Sequence, residues 1–315
     1  MKSAILTESK KPLKVANVDL PTKLEYGQVL VKIFYSGICK SQIMEIFGGR
    51  ENKKWLPHLL GHEGSGKVVA IGKGVSKVSP GDWVILGWIK GKGKDVGGAK
   101  YQLEDQIINS GAITTFSTYT IASENRIVPL PPLVPKDLAV LFGCALPTGT
   151  GIVLHEIKPK FSSSIAVIGL GGIGLSALMA CSVFECDPLI AIDVSLDKLE
   201  LAHKLGATHT IHARNQDPLV EVQKITDWGI DSIYATIGEM TRKIAQRAEQ
   251  IGLTVGDPIH RANHLRFLLM IPNIQLHVVF VILKLTMKSI CLLGTQGFIF
   301  LLQQNGRIRN IPWLG

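Results

Sequence analysis

The last 58 residues of this 315-residue chain, Pro258 to Gly315, contain no aspartate and no glutamate. That absence relocates the net charge of +9. Six basic residues of the segment (Arg261, Arg266, Lys284, Lys288, Arg307 and Arg309) leave the first 257 residues with 28 basic against 25 acidic groups. A body at +3 lacks the single-signed field that a nucleic-acid or anionic-membrane binder needs, so neither partner is expected. Aromatic residues are sparse, at 6%. None interleaves the basic run Lys90–Lys100 (KGKGKDVGGAK), which reads as a solvated loop and not as a base-stacking surface. Cysteine is scarce as well: Cys39, Cys144, Cys181, Cys186 and Cys291. An odd, scattered set excludes a disulfide framework and points to a reducing, cytoplasmic setting. The most apolar stretch, Phe267 to Leu285, is broken by Pro272, Asn273, Gln275, His277 and Lys284. Those groups are too costly to bury in lipid, so no membrane span is expected. The N-terminal MKSAILTESKKPLKV has no apolar core of a secretory signal. With 46% apolar and 19% charged residues, disorder is excluded, and the length suffices for two ordinary domains.

What is present falls into two patterns. The first 150 residues read as short strands separated by turns. Val29–Ile33, Gly66–Ile71 and Trp83–Leu86 are strand candidates, with Gly72-Lys73-Gly74 and Ser79-Pro80-Gly81-Asp82 as turns. From residue 164 strand and helix alternate. Strands are expected at Ile165–Ile168, Leu189–Ile192, His209–His212 and Ser232–Ala235. Helices are expected at Ile173–Phe184, Ser195–Leu205 and Pro218–Ile225. This alternation indicates a parallel α/β sheet, with the boundary between Gly149 and Ser164. Further on, Glu239–Ile251 is a helix candidate, and Leu276–Leu283 and Ser289–Leu293 are strand candidates.

Gly169-Leu170-Gly171-Gly172-Ile173-Gly174 follows a strand and opens a helix. Gly169 permits a tight turn, Gly171 lets a pyrophosphate approach the backbone, and Gly174 lets helix and strand pack closely. The helix N-terminus presents N–H groups to phosphate. Asp193, 19 residues after Gly174, stands where a carboxylate accepts from both ribose hydroxyls and repels a 2′-phosphate, which favours NAD over NADP. Lys198 either touches the same ribose or is merely solvated.

His62 and Glu63 lie between glycines in LGHEGSG, Cys39 lies 23 residues before His62, and Cys144 lies in FGCALPTG. One histidine and two cysteines supply three zinc ligands and leave a fourth position open for chemistry. Spacing alone does not bring the three together. Cys181, Cys186 and Cys291 have no comparable setting and read as core or surface thiols.

GICKS at 37–41, GHEGSGKVVAIGKGVSKVSPGDWV at 61–84, GCALPTGTG at 143–151, GLGGIG at 169–174 and KLGATHTI at 204–211 resemble the zinc-dependent medium-chain alcohol dehydrogenases, in the family's order. The resemblance runs from the N-terminus to about Gly238. It implies an α/β fold with a β-rich partner domain: a GroES-like β-barrel catalytic domain over residues 1–150, then a doubly wound parallel-sheet Rossmann domain over 151–297. Residues 298–315 form an atypical tail. An active site in the cleft between the domains is implied, and a homo-oligomer through the Rossmann domain is compatible with it. Carried onto this chain, Cys39, His62 and Cys144 match the catalytic zinc ligands, the Cys2His set known for that family. Glu63 matches the carboxylate beside the ligand histidine, and Ser41 the hydroxyl that receives the alcohol proton. Lys40 matches the basic residue facing the cofactor pyrophosphate, and Thr148 the threonine near the nicotinamide. Gly169, Gly171, Gly172, Gly174 and Asp193 match cofactor-binding positions. The implied activity is hydride transfer between an alcohol, or its aldehyde or ketone, and NAD.

Several positions depart from the pattern. The family's structural-zinc lobe carries four close cysteines, whereas Gly87–Ser110 carries none, so a second zinc is not expected. Gln42 replaces the aspartate that commonly supports the ligand histidine, which predicts weaker metal binding. Met44 stands where some members carry a relay histidine. Met287–Gly297 resembles the late Rossmann strand, and the sequence stops 18 residues later. A truncated, catalytically impaired nucleotide-binding relative is therefore the alternative expectation. A zinc-free quinone reductase of the same superfamily is disfavoured by the presence of all three ligands.

Overall fold

A computed structural model describes residues 1–48, 55–227, 230–235 and 255–256. The expected helix at 239–251, the strands at 276–283 and 289–293, the apolar stretch at 267–285, Cys291, the segment 287–297 and the tail at 298–315 all lie outside the described residues. The chain forms two compact units, Met1–Cys144 and a second beginning at Ala145.

The first unit is built from ten strands: β1 (Lys2–Leu6), β2 (Lys14–Asn17), β3 (Gln28–Ser36), β4 (His58–Leu59), β5 (Gly64–Ile71), β6 (Trp83–Leu86), β7 (Tyr101–Leu103), β8 (Gln106–Ser110), β9 (Tyr119–Ser123) and β10 (Ile127–Pro129). They make two five-stranded sheets, ordered β2-β1-β4-β8-β7 and β10-β6-β5-β3-β9. Alternation drives β3: Val29, Val31 and Ile33 point one way and are buried against Val68, Val84 and Leu86. Two register shifts against β5, at Leu30/Val31 and Ile33/Tyr35, bend the strand before it delivers Ser36 and Gly37. A second core gathers Ile5, Val18, Leu59, Tyr101, Ile108 and Ile121.

Lys90–Lys100 has no regular structure, as its composition predicts. It is nevertheless held in place by one buried carboxylate. Glu124 Oε1 accepts from the backbone N–H of Ser76 (2.6 Å) and Lys77 (2.8 Å), and Oε2 from that of Lys94 (2.8 Å). Ser123 Oγ donates to Lys94 O at 2.6 Å.

In the second unit, α2 (Ala145–Ile152) precedes a five-stranded sheet of β11 (Ile165–Ile168), β12 (Leu189–Asp193), β13 (His209–His212), β14 (Ser232–Ala235) and β15 (Val255–Gly256). The order is β13-β12-β11-β14-β15, with every pairing parallel. That is the dinucleotide-binding arrangement, in which the strand order reverses beside β11 and ligands bind past the strands' C-terminal ends. Helices α3 (Gly172–Val183), α4 (Leu196–Lys204) and α5 (Pro218–Thr226) alternate with the strands. Every residue of β11 and β12 is buried, as in a parallel sheet covered on both faces. Gly174 through Cys181 of α3 are all buried too, which explains why that helix is apolar all round. Asp217 caps α5 by accepting from Leu219 N at 2.9 Å, with Pro218 in the first turn. No helix among the described residues is long and apolar enough to cross a membrane.

Candidate active site

Three segments of the first unit converge. Cys39 ends the connection from β3 and is the extended N-cap of a short helix, α1 (Lys40–Ile46), which carries Ser41 and Gln42. His62 and Glu63 lie between β4 and β5, and Cys144 follows the 3-10 turn Leu138–Gly143. One ligand atom from each of Cys39, His62 and Cys144 lies within 4.8 Å of the others. Among the described residues no other group of three such side chains does so. The two sulfurs are 4.0 Å apart.

The loop carrying His62 is fixed through its backbone. Leu60 O accepts from Phe116 N (3.1 Å), Gly61 O from Thr115 N (3.3 Å) and Glu63 O from Gly37 N (3.2 Å). Gly61 has φ +97°, and a Cβ there would lie 2.6 Å from Thr115 N, so only glycine fits. Gln42 does not merely lack the aspartate's role; its Oε1 accepts the backbone N–H of Gly61.

The electrostatics are those of a crowded thiol pair. A hydrogen bond from Cys144, opposed by burial and helped by others from His62 and Ser41, brings the Cys39 thiol down to about 3. Sharing its proton with Cys39 pushes Cys144 upward; burial and the charges of Cys39 and Glu63 add to the rise, and the Trp88 side chain opposes it as a hydrogen-bond donor. Burial pushes the Glu63 carboxyl up to about 7, with His62 opposing and Cys39 adding to the rise. His62 Nε2 and Glu63 Oε2 are buried without a hydrogen-bond partner. An orphaned buried polar atom costs about 1–3 kcal/mol. A cation among two sulfurs and an imidazole relieves that cost, and mixed sulfur and nitrogen donors suit zinc. The residues fit the ion.

The cofactor residues of the second unit gather around the β11–α3 turn. Gly169 takes φ +86°, and Gly171 is the N-cap of α3. A Cβ on Gly171 would meet nothing within 4 Å, so the space over the turn is open to a phosphate. Gly172 is exposed beside it and Gly174 is buried. Asp193 is more heavily engaged than its sequence position implies. Oδ2 accepts from Leu170 N (2.7 Å), Oδ1 accepts from Val194 N (2.8 Å) and Ser195 N (3.0 Å), and Lys198 Nζ lies 3.8 Å from Oδ2. The carboxylate thus ties the glycine turn to the end of β12, and Lys198 is its ion-pair partner. Lys40 is exposed at the start of α1, and Thr148 is half-buried on α2. Sequence reasoning missed Trp88, the hydrogen bond that Gly61 N–H donates to Gln42, and the contact of Glu45 with His58, because none follows a motif or a spacing.

Residues 25–132 match the alcohol dehydrogenase GroES-like domain and residues 172–254 the zinc-binding dehydrogenase domain. The chain is 32% identical, over 266 residues, to an S-(hydroxymethyl)glutathione dehydrogenase of Synechocystis, covering 76% of this chain and 72% of that protein. The chain belongs to the zinc-dependent medium-chain alcohol dehydrogenase family. Solved alcohol dehydrogenases share its fold. Benzyl alcohol dehydrogenase from Acinetobacter calcoaceticus superposes with a TM-score of 0.70 at 27% identity, covering 84% of this chain and 81% of that one. An alcohol dehydrogenase zinc-binding domain protein from Burkholderia ambifaria does so with 0.68 at 26%, covering 75% and 70%. As an alcohol dehydrogenase of this family, the protein is an oxidoreductase of small alcohols and their carbonyl compounds, with zinc and NAD(H) as the implied cofactors.

Proposed function

We propose that the chain carries out NAD-linked alcohol oxidation at one zinc held by Cys39, His62 and Cys144. The supporting observation is the meeting of two sulfurs and an imidazole nitrogen within 4.8 Å, on a histidine whose Nε2 is buried and unpartnered. When bound, zinc supplies a Lewis acid that lowers the alcohol's pKa, and NAD supplies the hydride acceptor. The chain's own residues do the rest. Ser41 Oγ keeps a lone pair with which to accept the hydroxyl proton while it donates to Cys39. Glu63, buried beside His62, supplies a carboxylate whose negative charge balances the cation. Gly169, Gly171, Gly172 and Gly174 receive the pyrophosphate, while Asp193 receives the ribose beside Lys198. Thr148 packs against the nicotinamide.

In this reading residues 1–150 are the catalytic domain and 151–297 the NAD domain, through which copies associate, in the cytoplasm. No structural zinc is needed, because Glu124 ties down the cysteine-free loop. The test pairs metal analysis with NAD reduction across primary alcohols, benzyl alcohol and S-(hydroxymethyl)glutathione. One zinc per chain and turnover of at least one alcohol are expected, with both lost in Cys39→Ala and His62→Ala. Full zinc content in either variant refutes the ligand set.

A further inference from the structure

Gln42 is only 7% exposed, and its side-chain oxygen accepts a hydrogen bond from the residue next to a zinc ligand. Gly61 sits just beyond the two-residue strand β4, where no ladder partner remains for its N–H. A buried backbone donor must find an acceptor, and Gln42 Oε1 is the one supplied. A second contact lies one turn further along α1, where Glu45 Oε1 is 3.4 Å from His58 Nε2. His58 itself pairs with Leu6 across the sheet. The short helix that begins after Cys39 is therefore hydrogen-bonded to the loop that carries His62 and also touches the strand before it. The hydrogen bond acts on the peptide adjacent to the ligand, and the contact lies further back.

We propose that Gln42 is a positioning residue, setting the separation of Cys39 and His62 through the Gly61 N–H and thereby controlling zinc affinity. This rests on the zinc reading above. Tetrahedral zinc holds its ligand atoms at about 2.0–2.3 Å, so a loop loosened at Gly61 moves the imidazole out of reach of an ion held by the two sulfurs. The aspartate expected at this position is replaced by a different route to the same end, in which the backbone beside the histidine is held and not its ring.

The test compares Q42M, which keeps the side-chain volume and removes the acceptor, with Q42E, which keeps an acceptor oxygen at the same reach. In the metal-free proteins, amide hydrogen exchange at Gly61 is followed with Val31 in the sheet core as the reference. Zinc affinity is then measured by competition with a chromophoric chelator. For Q42M, Gly61 exchange faster by about tenfold with Val31 unchanged, and zinc affinity weakened about 10–100-fold, are expected. Q42E is expected within about threefold of wild type in both, a rescue that a purely space-filling role would not produce. Wild-type zinc affinity in Q42M overturns the inference while leaving the zinc site standing. A wild-type protein that binds no zinc overturns both. If Q42M does not fold, a loss of affinity in Q42E equal to that of His62→Ala also overturns it.

Discussion

Replacing Glu124 with glutamine removes the charge from the carboxylate that organises the cysteine-free loop. The residue is 1% exposed and accepts three backbone N–H bonds, two on Oε1 and one on Oε2. An amide has one acceptor oxygen, so either Lys94 N–H or the Ser76 and Lys77 pair must face an NH2 group. Hydrogen bonds to a charged acceptor contribute about 1.5–3 kcal/mol each. Losing the single bond to Lys94 therefore costs about 2 kcal/mol in the free energy of opening the loop. Trypsin reads this directly, because Lys90, Lys92, Lys94 and Lys100 lie in the segment. When reclosing outpaces cleavage, about 2 kcal/mol corresponds to cleavage about 30-fold faster. Burial pushes the Glu124 carboxyl up, but the N–H groups of Ser76, Lys94 and Lys77 outweigh it and hold it below the ordinary glutamate value. The folded-state value is thus depressed. Its stabilisation is present above about pH 4.5 and is lost as pH falls through the folded value, so the gap between E124Q and wild type is full at neutral pH and shrinks only in acid. Cleavage of E124Q at neutral pH within about threefold of wild type would refute the anchoring role.

Asp193→Ser removes the acceptor for Leu170 N–H and the charge that repels a 2′-phosphate. The KM for NAD should rise by about tenfold or more, and the preference over NADP should narrow, since one charge-assisted bond corresponds to about 1.5–3 kcal/mol; an unchanged KM ratio argues against the cofactor assignment. Burial holds the His58 imidazole below its ordinary value, with Glu45 and a hydrogen bond to the Asn109 backbone opposing. The folded protein thus binds fewer protons there than the unfolded chain, and stability declines as pH falls below about 6.5. Glu45→Gln removes the opposing charge, so the difference between the unfolding free energies obtained from urea titrations at about pH 5 and about pH 7.5 should widen by up to about 1 kcal/mol. A difference that narrows instead would reverse the assigned role of Glu45.

The second unit was legible because its elements are dictated locally. Strands at 165–168, 209–212 and 232–235 stand where the alternation of strand and helix puts them, and the helices begin and end within a residue or two of the predicted bounds. Two helices were less so. α1, in the first unit, has seven residues and no apolar stripe, and α2, at the start of the second, contains Pro147, Gly149 and Gly151, so neither carries a periodicity to read. Both exist because tertiary packing holds them, which overrides weak intrinsic propensity.

By itself the sequence determined the family, the order of the two domains and the residue types available to zinc and nucleotide, because motifs and periodicities are properties of neighbours along the chain. Only the tertiary structure decided that Cys39, His62 and Cys144, separated by up to 105 positions, share one site. It alone decided that Asp193 braces the glycine turn, that Glu124 ties the cysteine-free loop to Ser76 and Lys77, and that Gln42 holds the peptide beside His62. Each of these depends on a buried donor finding an acceptor far away in sequence. That pairing is set by how strands and loops stack once water is excluded, and no local pattern encodes it.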